Sequence, residues 1–515
     1  MKILFFVRHY TYLRNFESVM AGLARNGHVI HVAVEHEDTF GGLSIIERLT
    51  RDFPGRLSAG LSPKPKSRWY TLGTRLRFGI DYLRYLEPAY AKMPRLGLRA
   101  RARAPIGVLW LTDRWPFRTV ACRRLLGRWL ALCEQGLPPS REIARFLDEQ
   151  QPDVVLFTPL IGVVASPQLD YLYAAIARRL PTALCVWSWD HLSSKAIIRT
   201  VPDRILVWNR TQLREATTLH GVPPERVVVT GAQCFDQWFN REPSRPRVEF
   251  CHRVGLPSNR PFILWVCSAL FKGSPIEAHF VMRWIRELRA SGYTELRDAQ
   301  ILIRPHPSRL AEWKSVDLGA ESGVALWGGN PVDAEPRADY FDSLHYSAAV
   351  AGLNTSAFIE GAIADRPAFT ILLPEYFENQ EGTIHFHYLL DDAEGLLYGA
   401  RSFDEHAAHL AAALRGEADV ERSRRFVATF VRPHGLGEAA TPRVVGAIEQ
   451  LPVVATRLAP AKPGPAMRLM LHVFQVLATT RVGWLLSYDE AGAAKERRKQ
   501  AERGSGKPDS KATAA

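Results

Sequence analysis

The stretch AAVAGLNTSAFIEGAIADRPAFTIL, residues 348–372, decides the fold. Its first four residues are small and apolar, as a strand buried on both faces requires. Gly352-Leu353-Asn354-Thr355-Ser356 breaks the run, and Ala357 to Ala364 then repeats apolar side chains at helical spacing. After Asp365-Arg366-Pro367 a second apolar run, Ala368 to Leu372, reads as another strand. Strand, loop, helix and strand in one short span make a βαβ crossover, the unit of a parallel sheet.

The same rhythm extends outward. Upstream, strands are expected at Phe262 to Cys267, Gln300 to Ile303 and Val324 to Leu326, with helices from Ile276 to Ala290 and near Tyr340 to His345. Beyond the polar, proline-bearing stretch 240–246, which reads as a linker, another α/β alternation begins at Ile3 to Val7. It continues with a helix at Phe16 to Arg25 and a strand at Val29 to Val34, and resumes at Pro138 to end near Thr230. Residues 41–136 interrupt it with several prolines and a basic, aromatic-rich run, and read as an insertion. The expected division is therefore an N-terminal domain over 1–240, a C-terminal domain over 241–450, a helical segment over 451–486 and a disordered tail over 487–515.

Bulk properties agree with two folded domains. The 515 residues are 47% hydrophobic and 23% charged, an ordinary globular composition, and the net charge of +13 calls for an anionic partner. Six cysteines, Cys122, Cys133, Cys185, Cys234, Cys251 and Cys267, show no metal-ligand or disulfide spacing, so a reducing cytoplasm is expected. The apolar run at Ile3 to Val7 is interrupted at once by Arg8 and His9, too early for a signal peptide, and no apolar stretch reaches the roughly 20 residues of a membrane span.

In a parallel sheet, ligands bind at the carboxyl ends of the strands, so the strand-end loops carry the candidate chemistry. Ser268-Ala269-Leu270-Phe271-Lys272-Gly273-Ser274 is a small polar turn able to cradle a phosphate with Ser268, Lys272 and backbone N–H groups, or simply to turn the chain into a helix. Arg304-Pro305-His306-Pro307 follows a buried strand, with prolines stiffening the turn that fixes Arg304 and His306 at its mouth. The arginine offers a bidentate fork for phosphate and the imidazole a proton for a leaving group. In Asn354-Thr355-Ser356 the hydroxyls stand at a helix start, and Glu360 can accept from a ribose diol; the same residues also suit a plain helix cap.

Arg304-Pro305-His306-Pro307 and Asn354 through Pro367 resemble the donor-binding domain of the GT-B glycosyltransferases. Within that superfamily they are similar to the bacterial CDP-glycerol glycerophosphotransferases, the capsule-polysaccharide transferases and, more distantly, the UDP-N-acetylglucosamine 2-epimerases. The resemblance covers roughly residues 150–375 through short motifs. It implies an α/β fold of the GT-B kind, two Rossmann-like doubly wound domains facing a central cleft, here with a basic insertion in the N-terminal domain. It further implies a nucleotide-diphosphate donor whose pyrophosphate lies against His306 and Thr355-Ser356 with its ribose near Glu360, and neither an essential metal nor a cofactor. An epimerase-like third loop would carry a glycine pair and a doubled acid, whereas this chain has Asn354-Thr355-Ser356 and the single Glu360.

The N-terminal domain is the expected acceptor side. Its first loop, Arg8-His9-Tyr10-Thr11-Tyr12, lacks the glycines of a dinucleotide binder and instead offers Arg8 and Tyr12 to a carbohydrate or lipid-linked acceptor, with His9 as a base. Trp187-Ser188-Trp189-Asp190-His191 follows another strand; Asp190 or His191 can take a proton, Trp189 can stack on a sugar and Lys195 can bind a charged acceptor. A buried tryptophan pair and a capping aspartate are the plain alternatives. The arginines and aromatics between Lys64 and Arg128 suit an anionic membrane surface, and the segment Met467 to Leu486 suits either such a surface or a helix packed back on the domains; no helix-turn-helix, ribonucleoprotein or zinc signature supports nucleic acid. The expected activity is transfer from a nucleotide-activated donor at the inner face of the cell membrane to build a surface glycopolymer, with a nucleotide-sugar 2-epimerase and a non-catalytic scaffold of the same fold as rivals.

Overall fold

Two sheets organise the chain, each parallel throughout because consecutive strands are joined by helical crossovers. The computed structural model describes residues 1–37, 41–319, 321–390, 394–458, 464–478, 480 and 485. The tail expected over 487–515 lies outside the described residues.

The first sheet contains β1 (Lys2–Val7), β2 (Val29–Val34), β3 (Leu57–Leu61), β4 (Val154–Thr158), β5 (Thr182–Cys185), β6 (Arg204–Val207) and β7 (Val227–Val229). Its order is β3-β2-β1-β4-β5-β6-β7, so the winding direction reverses between β1 and β4. Ile3, Phe5 and Val7 enter one core layer with Met20 and Leu23, while Leu4 and Phe6 enter the opposite layer with Tyr171 and Leu172. This is the burial on both faces that produces unbroken apolar runs in sequence.

The second sheet contains β8 (Phe262–Val266), β9 (Gln300–Arg304), β10 (Val324–Leu326), β11 (Ala349–Gly352), β12 (Ala368–Ile371) and β13 (Leu397–Ala400), in the order β10-β9-β8-β11-β12-β13. The reversal here falls between β8 and β11, and β11 runs in register beside β8 with Ala351 opposite Trp265. A Cβ at Gly352 would stand 2.8 Å from the Val266 carbonyl oxygen, so only glycine lets the two strand ends come this close.

Two boundaries differ from the sequence reading. The alternation does not stop at residue 41: helix Leu43–Asp52 and β3 complete the sheet edge, and the basic segment is the helical layer that follows, chiefly helices Arg68–Tyr85 and Val120–Gln135. At the other end, the chain from Phe430 belongs to the first compact unit, Met1–Asp236 with Phe430–Glu490, rather than continuing the second unit to residue 450. Helix Ala440–Val454 buries Val444, Val445, Ile448 and Leu451 in the layer formed by Val19, Met20 and Leu23. At about 1.5–3 kcal/mol per fully buried aliphatic side chain, that stripe is reason enough for the crossing. Asp236 anchors its start, its carboxylate accepting from the Ala440 and Thr441 N–H groups at 3.0 and 2.6 Å.

The expected C-terminal segment is a helix, Pro465–Ala478, against the basic layer: Leu471 is buried beside Leu130 and Cys133, with Met467, Met470 and Phe474 packed on the same cluster.

Candidate functional site

In the second unit, the loops after β8 and β11 meet at the reversal point. The Asn354 N–H donates to the Ser268 hydroxyl at 2.9 Å, and the Asn354 amide donates to the Asn379 carbonyl. Asn379 in turn accepts from the Phe271 N–H at 2.7 Å and donates to Ser274 at 2.8 Å. Ser268 and Asn354 therefore hold the two loops together, and Asn379, in the loop after β12, is the clamp that the sequence reading missed. Thr355 accepts from the Ala357 N–H at 3.3 Å, while the Ser356 hydroxyl projects no cap onto helix Ala357–Ile363 and the residue is exposed. Lys272 is also exposed, but the following helix begins only at Glu277, so Lys272 does not stand at a helix start.

Behind Ser268 sits a second residue absent from the sequence reading. Glu277 is fully buried, and its carboxylate accepts from the Ser268 N–H at 2.8 Å and from the Trp265 indole at 3.4 Å. Desolvation dominates over these bonds and pushes its carboxyl up to about 8.

Arg304 is placed differently from the expectation of a fork at the loop mouth. It is 4% exposed, and its guanidinium donates to the Ser343 hydroxyl at 2.9 Å and lies 5.1 Å from the Tyr340 ring centre. The Tyr340 hydroxyl donates to the Glu360 carboxylate. Arg304 forms a wall of a pocket of about 300 Å³, shared with Arg253, Trp327, Gly328, Glu335 and Asp339. Gly328 has φ of +116°, and a Cβ there would meet the guanidinium at 2.5 Å, so backbone conformation and space both demand glycine. The Trp327 indole N–H is buried with no hydrogen-bond partner among the described residues.

His306 stays partly exposed. Its Nδ1 accepts from the Ser308 N–H at 3.2 Å, capping the short helical run Pro307–Ser315. The same Nδ1 lies 2.8 Å from the Ser308 hydroxyl, and when it accepts these bonds the proton of the neutral ring stands on Nε2, the tautomer able to donate outward.

In the first unit, Arg8 follows β1 and its guanidinium lies 3.6 Å from where a Cβ of Gly162 would be, in the loop after β4. This sets Arg8 at the reversal point. His9 stacks on His36 with ring centres 4.9 Å apart, and Tyr12 meets Trp187 edge-on at 4.7 Å. Burial, reinforced by the positive charge of Arg8 and by His36, lowers His9 to about 4, so its imidazole is neutral at ordinary pH. Burial pushes the Tyr12 hydroxyl up to about 12. Glu35, at the end of β2, was not singled out by sequence; it is 2% exposed, accepts from Ser166 at 2.7 Å and Gln168 at 2.9 Å, and burial raises its carboxyl.

The Asp190 group is arranged otherwise than expected. The Lys195 ammonium and Ser194 hydroxyl donate to one Asp190 oxygen at 2.7 and 2.8 Å, and the Ser188 hydroxyl donates to the other. The residue proposed as base and the residue proposed to bind acceptor are each other's partner. Trp189 is 7% exposed and cannot offer its face to a sugar; the half-buried Trp187 is the one that borders Tyr12. His191 is fully buried, bonded to the Pro159 carbonyl at 2.8 Å and lowered to about 4 by desolvation. Among the described residues no cluster of His, Cys, Asp and Glu has the arrangement of a metal site.

No family model matches the sequence, and no curated protein does either. Solved structures do. A Listeria monocytogenes protein described as a UDP-N-acetylglucosamine 2-epimerase superposes with a TM-score of 0.50 at 12% identity, over 90% of this chain and 99% of the other. The S. aureus protein MnaA, solved with UDP, gives the same values. A glycosyltransferase from Rickettsia africae ESF-5 gives 0.49 at 11% identity, over 87% and 98%. Likeness at this identity is likeness of fold, and the fold is GT-B, two Rossmann-like domains with parallel sheets.

Proposed function

We propose that this chain is a GT-B transferase that takes a nucleotide-activated sugar or polyol phosphate and extends a bacterial cell-surface glycopolymer at the inner face of the membrane. The observation that carries the reading is the second unit's pocket lined by Arg304, Trp327, Gly328 and Asp339, with Arg304 packed on the Tyr340 ring, Tyr340 bonded to Glu360, and the Ser268 and Asn354 loops clamped to each other. A nucleotide is compatible with these groups chemically: Trp327 in the pocket lining supplies an aromatic face for a base, and the Glu360 carboxylate is an acceptor suited to a ribose diol. MnaA was solved with UDP, which favours a uridine nucleotide as the first donor to test.

In this reading Lys272 and the Ser356 hydroxyl face the diphosphate, and His306 Nε2–H donates to the departing phosphate oxygen as negative charge builds on it. Arg304 acts from the pocket wall, as a fixed positive charge. The acceptor belongs to the first unit, where the neutral His9 imidazole takes the proton of the attacking hydroxyl beside Arg8 and Tyr12. Asp190 and Lys195 shape this loop and take no proton. No step calls for a metal or cofactor.

Calorimetry with UDP, CDP, GDP and ADP tests the donor site. One of them should bind, and Glu360→Ala should weaken it at least about tenfold, equivalent to 1.4 kcal/mol. His306→Ala should abolish transfer while leaving that binding in place; undiminished turnover in both variants would remove the proposed site. A second reading, nucleotide-sugar 2-epimerase, is favoured by the superposition on the Listeria protein. Product analysis without added acceptor separates the two, since only an epimerase converts the sugar nucleotide alone.

A further inference from the structure

Helix Val120–Gln135 carries two apolar stripes where its packing needs one. Leu126, Leu130 and Cys133, spaced at i, i+4 and i+7, enter the core of the basic helical layer. Leu125, Trp129 and Leu132 repeat the same spacing one residue earlier and point outward, with Leu125 67% exposed. Helix Pro465–Ala478 does likewise: Met467, Met470, Leu471 and Phe474 pack on that core, while Leu469, Val473 and Val476 are exposed, Leu469 at 66%. The Trp129 and Phe474 rings meet edge-on at 5.9 Å, so the two outward stripes flank one seam. In the same layer, Trp115 follows helix Ile106–Thr112 and is 83% exposed.

Charge accompanies the apolar surface. From Pro94 to Arg128 the chain has nine arginines and one carboxylate, Asp113, and Pro465 to Ala478 has Arg468 and no carboxylate. Arg114 lies over the Trp110 ring at 4.0 Å, and Arg118, Arg128 and Arg468 are exposed. Scattered exposed leucines need no explanation on a soluble surface, but a double stripe on two adjoining helices, rimmed by arginine, marks a contact face.

We propose that this face docks the chain on an anionic phospholipid surface, with Trp115 and the outward stripes of the two helices entering the headgroup boundary and the arginines meeting lipid phosphates. The charge selects the occupant. A second copy related by a twofold axis would bring arginine-rich patches together, against their repulsion. A nucleic acid has phosphates but nothing for Leu125, Leu469 and Val473 to bury against. A bilayer surface supplies both components, at about 1 kcal/mol for each arginine near the headgroups and more for each apolar side chain removed from water. Among the described residues no helix is long and apolar enough to cross a membrane, so the contact is one of lying on the surface. This docking stands on the first unit alone and does not rest on the donor chemistry.

The test is flotation of the full chain with vesicles of phosphatidylcholine, with and without about one third phosphatidylglycerol. Co-flotation with the anionic vesicles only, falling as salt rises, is expected. W115A/L125S/L469S should reduce the bound fraction at least about tenfold, and R114E/R118E/R128E should do the same, with melting temperatures unchanged because all six side chains are exposed. Quenching of tryptophan fluorescence by brominated lipid should accompany binding in the parent chain. A folded chain that stays in solution with anionic vesicles overturns the proposal, as does undiminished flotation of the apolar triple variant. A dimer in solution that this variant dissociates assigns the face to a second copy instead and also overturns it.

Discussion

The Lys195 ammonium donates to the Asp190 carboxylate across 2.7 Å, and the Ser194 hydroxyl reaches the same oxygen at 2.8 Å. A carboxylate so occupied is a poor base and a good brace. Asp190→Asn should therefore cost about 1.5–3 kcal/mol of stability, the range for a hydrogen bond to a charged group, and leave turnover within a few-fold of the parent. His9→Ala should do the opposite, lowering kcat by about 10²–10⁴ with little change in melting temperature. Unfolding curves and steady-state kinetics on the two variants check this; a larger kcat loss in Asp190→Asn than in His9→Ala would return the base to Asp190.

Gly328→Ala is expected to damage the second unit locally. The new methyl group would stand 2.5 Å from the Arg304 guanidinium, on a backbone with φ of +116°. Strain of this kind costs about 1–3 kcal/mol, and relief requires Arg304 to move into the pocket it now borders. Nucleotide affinity should fall at least about tenfold, while Gly329→Ala, where a Cβ meets open space, should leave it nearly unchanged. Calorimetry on the pair separates a blocked pocket from a loosened loop.

The parallel sheets were legible because their central strands are buried on both faces, so Phe262–Val266 and Ile301–Ile303 appear as unbroken apolar runs. Strand β3 was not. Its sequence LSAGL lies at the sheet edge with Ser58, Ala59 and Leu61 exposed, leaving no apolar pattern to read. Helix Ala440–Val454 shows an apolar stripe in sequence, but a stripe does not say which core receives it. At the site, the strand-end loops were found by position, whereas the condition of each side chain was set by distant partners. Arg304 is enclosed by Gly328 and Tyr340, Glu277 lies behind Ser268, and Trp189 faces inward where Trp187 does not.

Acid should destabilise the fold below the ordinary histidine range. His191 and His406 are fully buried, and desolvation holds them at about 4 and about 3, whereas both titrate near 6.5 once unfolded. Between these values the unfolded chain binds more protons, so the stability each contributes is complete above 6.5 and is lost as pH falls toward the folded value. Each adds at most about 1.4 kcal/mol per pH unit in that window. Glu277 and Glu35 act with the opposite sign in the same window, so the test is the difference between chains: in denaturant unfolding between about pH 7 and pH 5, His406→Leu should lose less stability on acidification than the parent. An unchanged slope in the variant would mean that His406 takes up its proton equally in the folded and unfolded chains, which overturns the prediction.

Glu277 has the reverse sign. Burial pushes its carboxyl up to about 8 from a reference value of 4.5, so the folded chain holds this proton more tightly than the unfolded chain does. Folding is penalised increasingly as pH rises from 4.5 toward 8, and the penalty levels off above 8, where both states are ionised. Glu277→Gln keeps an oxygen to accept from the Ser268 N–H and removes the charge. Its stability relative to the parent chain should therefore rise with pH across that window, by at most about 1.4 kcal/mol per unit, and stay constant above it. Because the amide still braces the Ser268 loop, nucleotide affinity should remain within a few-fold of the parent. Glu277→Leu, which leaves the Ser268 N–H without its acceptor, should lose both the loop and the affinity, and equal nucleotide binding by the two variants would separate Glu277 from the site it is placed behind.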